Sequence, residues 1–241
     1  MIRYLKHHPM PKKEKIQEMF DHIAPSYDRL NHLLSLDVDK LWRRAALPEI
    51  VDGTVQRVLD VACGTGDSTI AIAKAVAPGS RVLGSDISEG MMRHVMDKAA
   101  KAGVAERVAV ETADAEDMPY ADGSYDRVTC AFGVRNFEHK EQALAEMYRV
   151  LRSGGRVVIL ELSVPENRLL RWFYSLYFKH ILPKIGGALS GDKAAYAYLP
   201  ASVFRFPSPL VFSRMMADAG FTRVRRRSLT FGLCRMFVGE K

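Results

Sequence analysis

The chain has 241 residues, 48% hydrophobic and 26% charged, with a formal net charge of +7 and three cysteines. This length and balance suit one substantial α/β core; the longest apolar-rich run, residues 169–182, is broken by Arg171, Lys179 and His180 and falls short of the roughly 20 residues of a membrane span. The basic opening MIRYLKHHPMPKKEK lacks the apolar centre and cleavage site of a secretory signal, so a cytoplasmic location is expected, with Cys63, Cys130 and Cys234, far apart and outside any C-x-x-C pair, as reduced thiols rather than disulfides or zinc ligands.

Up to about Ile50 the apolar residues recur at helical spacing, in Ile16, Met19, Phe20 and Ile23 and again in Leu33, Leu34, Leu41 and Trp42, which predicts short helices interrupted at Pro25. From Gln56 the pattern changes to short apolar runs: RVLDVA (57–62), RVLGSD (81–86), RVAVET (107–112), YDRVTCAF (125–132) and GRVVILEL (155–162). Helices are expected between them, near 67–77, 89–102 and 139–151, with Pro78 and Gly79, and Gly154 and Gly155, marking helix exits. Strands alternating with helices predict a doubly wound, mostly parallel α/β sheet. The end of the chain, FTRVRRRSLTFGLCRMFVGEK, alternates as strands and is expected to close the sheet with an antiparallel pair. Much of the charge is local, in Lys12, Lys13 and Lys15 and in Arg223, Arg225, Arg226 and Arg227. A nucleic acid, an anionic membrane surface, an anionic ligand and a merely solvated basic surface all fit it.

The stretch VLDVACGTGDST (58–69) is a glycine-rich turn between a strand and a helix. Gly64 and Gly66 let the backbone approach a ligand, but Thr69 stands where a dinucleotide fingerprint has its third glycine. Asp86 ends the second strand, with Ile87 beside it, where a carboxylate accepts both ribose hydroxyls of an adenosine; the alternative is an N-cap for the helix starting at Ser88. After the third strand, Asp114 is placed to accept from an adenine amino group while the adjoining amide of Ala115 reaches a ring nitrogen. Acidic groups at two strand ends, with no basic residue aimed at a phosphate, suit a cationic sulfonium nucleoside, so the cofactor is read as S-adenosylmethionine, with no metal. Asp60 has two readings, one beside the methionine ammonium and one as a buried acid that orders the turn.

The order D-x-A-C-G-T-G-D, Asp86, DAEDMPYADGSYD is similar to that of class I methyltransferases. FGVRNFEHKEQALAEMYRVLRSGGRVVILELSVPEN (132–167), with FDHIAPSYDRLNHLLSLDVDKLWRR upstream and YAYLPASVFRFP, MMADAGF and LTFGLCRMFVGEK downstream, resembles the quinone C-methyltransferase family of menaquinone and ubiquinone biosynthesis, most nearly the members that act on demethylmenaquinone. The resemblance implies a Rossmann-like class I fold of seven strands and a single methyltransferase domain over 1–241. Within it lie a helical cap (1–50), a cofactor core (51–165), an apolar substrate or lid insertion (166–206) and a C-terminal helix and strands (207–241). It carries cofactor positions to Thr65, Asp86, Asp114 and Ala115, and to Ala131, where the family often has serine and only the backbone remains. It carries catalytic roles to Arg135, Asn136 and Tyr27. Asp37 stands where glycine is frequent, and Val164 where lysine is.

The implied reaction places a methyl on a ring carbon of a prenylated naphthoquinol, a carbon that is nucleophilic only as a neighbouring hydroxyl ionises. Arg135 would stabilise the phenolate and Asn136 orient a water or hydroxyl; the competing role for Arg135 is an ion pair with Asp126 or Glu138, and for Tyr27, packing. His22, His32 and His139 lie in helical or capping contexts, and Glu161 either faces the acceptor or caps. The aromatic run RLLRWFYSLYFKHILPKIGGALS would line a tunnel for the prenyl tail or dock on a bilayer through Arg168, Arg171, Lys179 and Lys184, or else pack over the sheet or between subunits of a homodimer. A nucleic-acid amine methyltransferase is disfavoured because AFGVRN is not an Asn/Asp-Pro-Pro-aromatic motif. Thr69 weakens a nicotinamide oxidoreductase, and Arg135 with Asn136 a binding protein without catalysis.

Overall fold

Alternation within the apolar runs assigns side chains to two buried layers. In β1 (Arg57–Val61), Val58 packs into one cluster and Leu59 and Val61 into the other; in β5 (Leu151–Leu162), Val158 and Leu160 join the first and Val157 and Ile159 the second. The computed structural model, which describes residues 12–177 and 193–241, covers the first face with α2 (Val38–Ile50), α3 (Asp67–Ala75) and α5 (Val95–Lys101). The second face is covered by α6 (Lys140–Val150) and α9 (Pro209–Asp218). Strands buried on both faces read as continuous apolar runs because helices cover each side.

The sheet has seven strands in the order β3-β2-β1-β4-β5-β7-β6, completed by β2 (Arg81–Asp86), β3 (Val108–Thr112), β4 (Tyr125–Ala131), β6 (Thr222–Leu229) and β7 (Cys234–Glu240). The first five pair in parallel, and β7 lies antiparallel between β5 and β6, as expected. The arginine cluster proves to be the exposed edge strand β6, where Arg223 meets Glu240 at 3.0 Å and Arg225 meets Glu49 at 3.1 Å. Charge on an edge strand deters pairing with another sheet.

Two expectations are corrected. Pro25 does not interrupt the first helix: α1 runs unbroken over Lys13–Ser35. An internal proline costs about 3 kcal/mol, and polar contacts to the body of the protein on both sides of Pro25 offset it. Gly154 and Gly155 do not mark a helix exit either. Helix α6 ends at Val150, β5 begins at Leu151, and the glycines sit where the β4–β5 register shifts, with Gly154 left-handed (φ 74°). The helix expected over 89–102 comes in two pieces, α4 (Glu89–Met92) and α5. Two further helices, α7 (Arg168–Leu176) and α8 (Lys193–Arg205), belong to the segment expected to cover the substrate. Lys179, His180 and Lys184 of that segment, and the first eleven residues, lie outside the described residues. No helix among the described residues is long and apolar enough to cross a membrane.

Candidate functional site

The strand order reverses between β1 and β4, and the loops leaving the carboxyl ends of these strands converge there, as in other open α/β sheets that bind ligands. A cavity of about 890 Å³ lies at this edge, toward the upper end of the roughly 300–1,000 Å³ common for ligand pockets. Every residue given a cofactor or catalytic role above lines it except Gly66, while His22, His32, His139 and Glu161 do not line it.

Gly66 is a packing residue. It is left-handed (φ 83°), and a Cβ there would fall 2.6 Å from Val95 Cγ1. Thr69 packs closely by a different device: its Oγ1 donates to Asp60 Oδ2 at 2.6 Å, and on the neighbouring strand Gly84 makes the room, since a Cβ there would meet Cys63 Sγ at 2.9 Å and Thr69 Oγ1 at 3.2 Å. Asp60 is 1% exposed, and burial pushes its carboxyl up to about 7.

Asp86 accepts the Gly64 amide at 2.8 Å and the Ser88 amide at 2.9 Å, tying the glycine turn to the second loop, and burial raises its pKa despite those amides. The N-cap of α4 is Ser88, whose hydroxyl accepts from the Met91 amide, so Asp86 orders the loop before the helix rather than capping it. Asp114 Oδ1 accepts the Glu116 amide and Oδ2 the Lys13 ammonium at 2.7 Å.

Lys13 is one of a row of contacts that draw α1 over these loops. Gln17 donates to the Ile87 carbonyl at 2.9 Å, Asp21 accepts from Ser88 and Gly90, Asp28 accepts from Thr65 and from Lys98 at 2.7 Å, and His32 faces Asp39 at 3.1 Å and Asp67 at 3.3 Å. Residues 13, 17, 21, 28 and 32 share one helical face. The signal for this polar stripe in the sequence is the polar residues at helical spacing, 13, 17, 21, 28 and 32. The His32, Asp39 and Asp67 ligand atoms lie within 4.8 Å of one another. Arg43 on Asp39 and Lys98 on Asp67 already compensate those carboxylates, which makes the cluster an ion-pair network between helices.

At the other end of the cavity, Arg135 and Asn136 occupy a 3₁₀ turn after β4. The ion pair expected for Arg135 is corrected: Asp126 is held by Arg152 and by the Arg57 amide, Glu138 accepts the Lys13 amide, and the partner is Glu161. That carboxylate is fully buried and accepts the Arg135 amide at 2.9 Å, the guanidinium Nη1 at 3.1 Å and the Leu162 amide at 2.8 Å. Nη1 also donates to the Phe132 carbonyl. Burial works most strongly against the Arg135 charge, but Glu161 together with Tyr27 and Tyr198 outweighs it and the guanidinium pKa is raised. The Tyr27 ring packs edge-on to Phe20, with centroids 5.9 Å apart, within a cluster that joins α1, α7 and α8 and includes Val164. Phe173, Tyr174 and Leu199 make this end of the cavity apolar. Sequence reasoning assigned no role to Tyr198, whose hydroxyl donates to Asn136 Oδ1 at 3.1 Å.

The sequence pattern of the ubiE/COQ5 methyltransferase family matches residues 9–241. Over 230 residues the chain is 49% identical to the demethylmenaquinone methyltransferase of Deinococcus radiodurans, covering 95% of this chain and 94% of that one. It is 47% identical, over 95% of its length and 90% of the relative's, to the ubiquinone/menaquinone biosynthesis C-methyltransferase UbiE of Geobacter sulfurreducens. A solved SAM-dependent methyltransferase from Aquifex aeolicus shares the fold, with a TM-score of 0.59 at 20% identity over 95% of this chain and 97% of that one.

Proposed function

Because the chain belongs to the ubiE/COQ5 methyltransferase family, we propose that it methylates a ring carbon of demethylmenaquinol, using S-adenosylmethionine and giving menaquinol. The names of its relatives supply the substrate class, and one observation carries the reading: a single cavity is lined by the strand-end carboxylates Asp60, Asp86 and Asp114, by Arg135 and Asn136, and by the aromatic rings of Tyr27, Phe173 and Tyr174. S-adenosylmethionine supplies an electrophilic methyl whose bond to sulfur breaks as the new carbon–carbon bond forms.

The donor set fits such a group. A carboxylate offers about four lone-pair sites, so Asp86 retains acceptors for ribose hydroxyls after taking two amides, and Asp114 does so for the adenine amino group. Ile87, Ala115 and the backbone of Ala131 would hold the base, and Thr65 with the Gly64 turn would hold the methionine end. Asp60 is the buried acid of that end; a cation beside it would favour its ionised form.

On the acceptor side Arg135 would hold negative charge on the quinol oxygen as its proton leaves to water, and Asn136 would orient the same oxygen; after the methyl arrives, the ring carbon gives up its hydrogen as a proton to water and the oxygen regains one, which restores the aromatic quinol. Tyr27 closes the ring site from α1. Holding the ring in line with the methyl supplies roughly 7–11 kcal/mol in well-oriented systems. The exposed apolar side chains at the rim, Trp172 (57%), Phe173 (55%) and Phe231 (80%), suit peripheral contact with the bilayer that holds a prenylated substrate. The Arg171 guanidinium is held against the Pro165 and Glu166 carbonyls. A homodimer is the other use of that face.

The test incubates the protein with S-adenosylmethionine and a reduced demethylmenaquinone analogue, beside a reduced benzoquinone, and weighs the products by mass spectrometry. Gain of one methyl on the naphthoquinol supports the reading, and preferential gain on the benzoquinol moves the assignment to the ubiquinone pathway. No gain on either overturns it.

A further inference from the structure

The cavity's two catalytic candidates have different supports. Arg135 is fixed from within the sheet by Glu161, at the end of β5. Asn136 is contacted from outside, by Tyr198 on α8. Tyr198 does not line the cavity, whereas its neighbour Leu199 does.

From this juxtaposition we propose that Tyr198 is a positioning residue for methyl transfer, orienting Asn136 so that its carboxamide serves as a hydrogen-bond donor to the ionising quinol oxygen. The inference rests on the quinol reading above and deepens it. A carboxamide has one oxygen acceptor and two N–H donors. With Oδ1 taken by the Tyr198 hydroxyl, the Asn136 group offers N–H to the cavity. An N–H directed at the quinol oxygen stabilises the phenolate more than the phenol, because charge grows on that oxygen as the proton departs. Arg135 contributes charge beside it, so the two residues act on one oxygen.

The Tyr198 hydroxyl is the donor to Asn136 Oδ1, and burial pushes its phenol up to about 12, so it carries the proton for that bond at neutral pH. The charged groups that face it are Arg135, Arg205 and Glu161. The donor orientation of Asn136 therefore depends on α8, the helix that carries Tyr198.

Tyr198→Phe removes the hydroxyl and little else. With S-adenosylhomocysteine bound, 1-naphthol serves as the probe, because its absorbance reports ionisation of an aromatic hydroxyl. The wild type should lower the pKa of bound naphthol below its free value, and Tyr198→Phe should return it toward that value while S-adenosylhomocysteine affinity holds. Turnover on the demethylmenaquinol analogue should fall roughly tenfold or more through kcat, with KM for S-adenosylmethionine unchanged. In an Asn136→Ala background the same substitution should have no further effect, since both act through one group.

Equal naphthol ionisation in wild type and Tyr198→Phe overturns the inference. So do a failure of the wild type to bind naphthol, additive losses in the double variant, or a fall in kcat matched by weaker cofactor binding and a lower Tm. If the wild type transfers no methyl yet the naphthol shift depends on Tyr198, the substrate reading fails and the positioning role stands.

Discussion

Asp60→Asn tests the electrostatics of the turn. The wild-type carboxyl is 1% exposed, bonded to Thr69 and raised to about 7. In the unfolded chain it ionises near its ordinary value of 3.8. Between those values the native state holds a proton that the unfolded state has lost, so this group makes stability fall as pH rises from about 4 to about 7, with no further change above. At about 1.4 kcal/mol per pH decade, the full penalty is at most about 4 kcal/mol at pH 8 and under about 2 kcal/mol at pH 5. Asparagine cannot ionise and still accepts from Thr69. The variant should therefore gain on the wild type by roughly 2 kcal/mol more at pH 8 than at pH 5, read as the difference in urea-unfolding free energies of the ligand-free proteins. A stability difference that is the same at both pH values refutes the reasoning, because it would mean that the native carboxyl ionises where the unfolded one does.

Gly66→Ala should destabilise by about 1–3 kcal/mol, from a left-handed residue and the 2.6 Å approach to Val95; a loss below 0.5 kcal/mol in urea unfolding, roughly the size of a neutral surface change, would contradict the packing role. Arg135→Met should abolish turnover and also cost about 3–5 kcal/mol, because Glu161 is left buried without its cation. Adding Glu161→Gln should restore much of the stability and none of the turnover, and recovery of turnover would remove Arg135 from the mechanism. Liposome flotation should enrich the wild type with vesicles and lose a Trp172→Glu, Phe231→Glu variant; no enrichment of the wild type removes the membrane contact.

The doubly wound sheet was legible because covered parallel strands must be apolar on both faces, and the runs at 57–62, 81–86 and 125–132 say so without reference to anything distant. The cofactor edge was legible for a related reason: Asp86 and Asp114 follow directly on strands, so topology alone brings them together. Local patterning misled at Pro25 and at Gly154 and Gly155. There the outcome turned on contacts from α1 to other loops and on strand pairing, which no local window contains.

The chain's alternation and strand-end acids specified the architecture and the half of the cavity that takes a nucleoside, since both follow from periodicity and chain order. The choice of Glu161 over Asp126 for Arg135, the demotion of Gly66 to packing and the approach of Tyr198 to Asn136 from 62 residues away arose only on folding. Each depends on which side chains share a buried space, and burial makes a charge or an amide take whichever partner lies within reach.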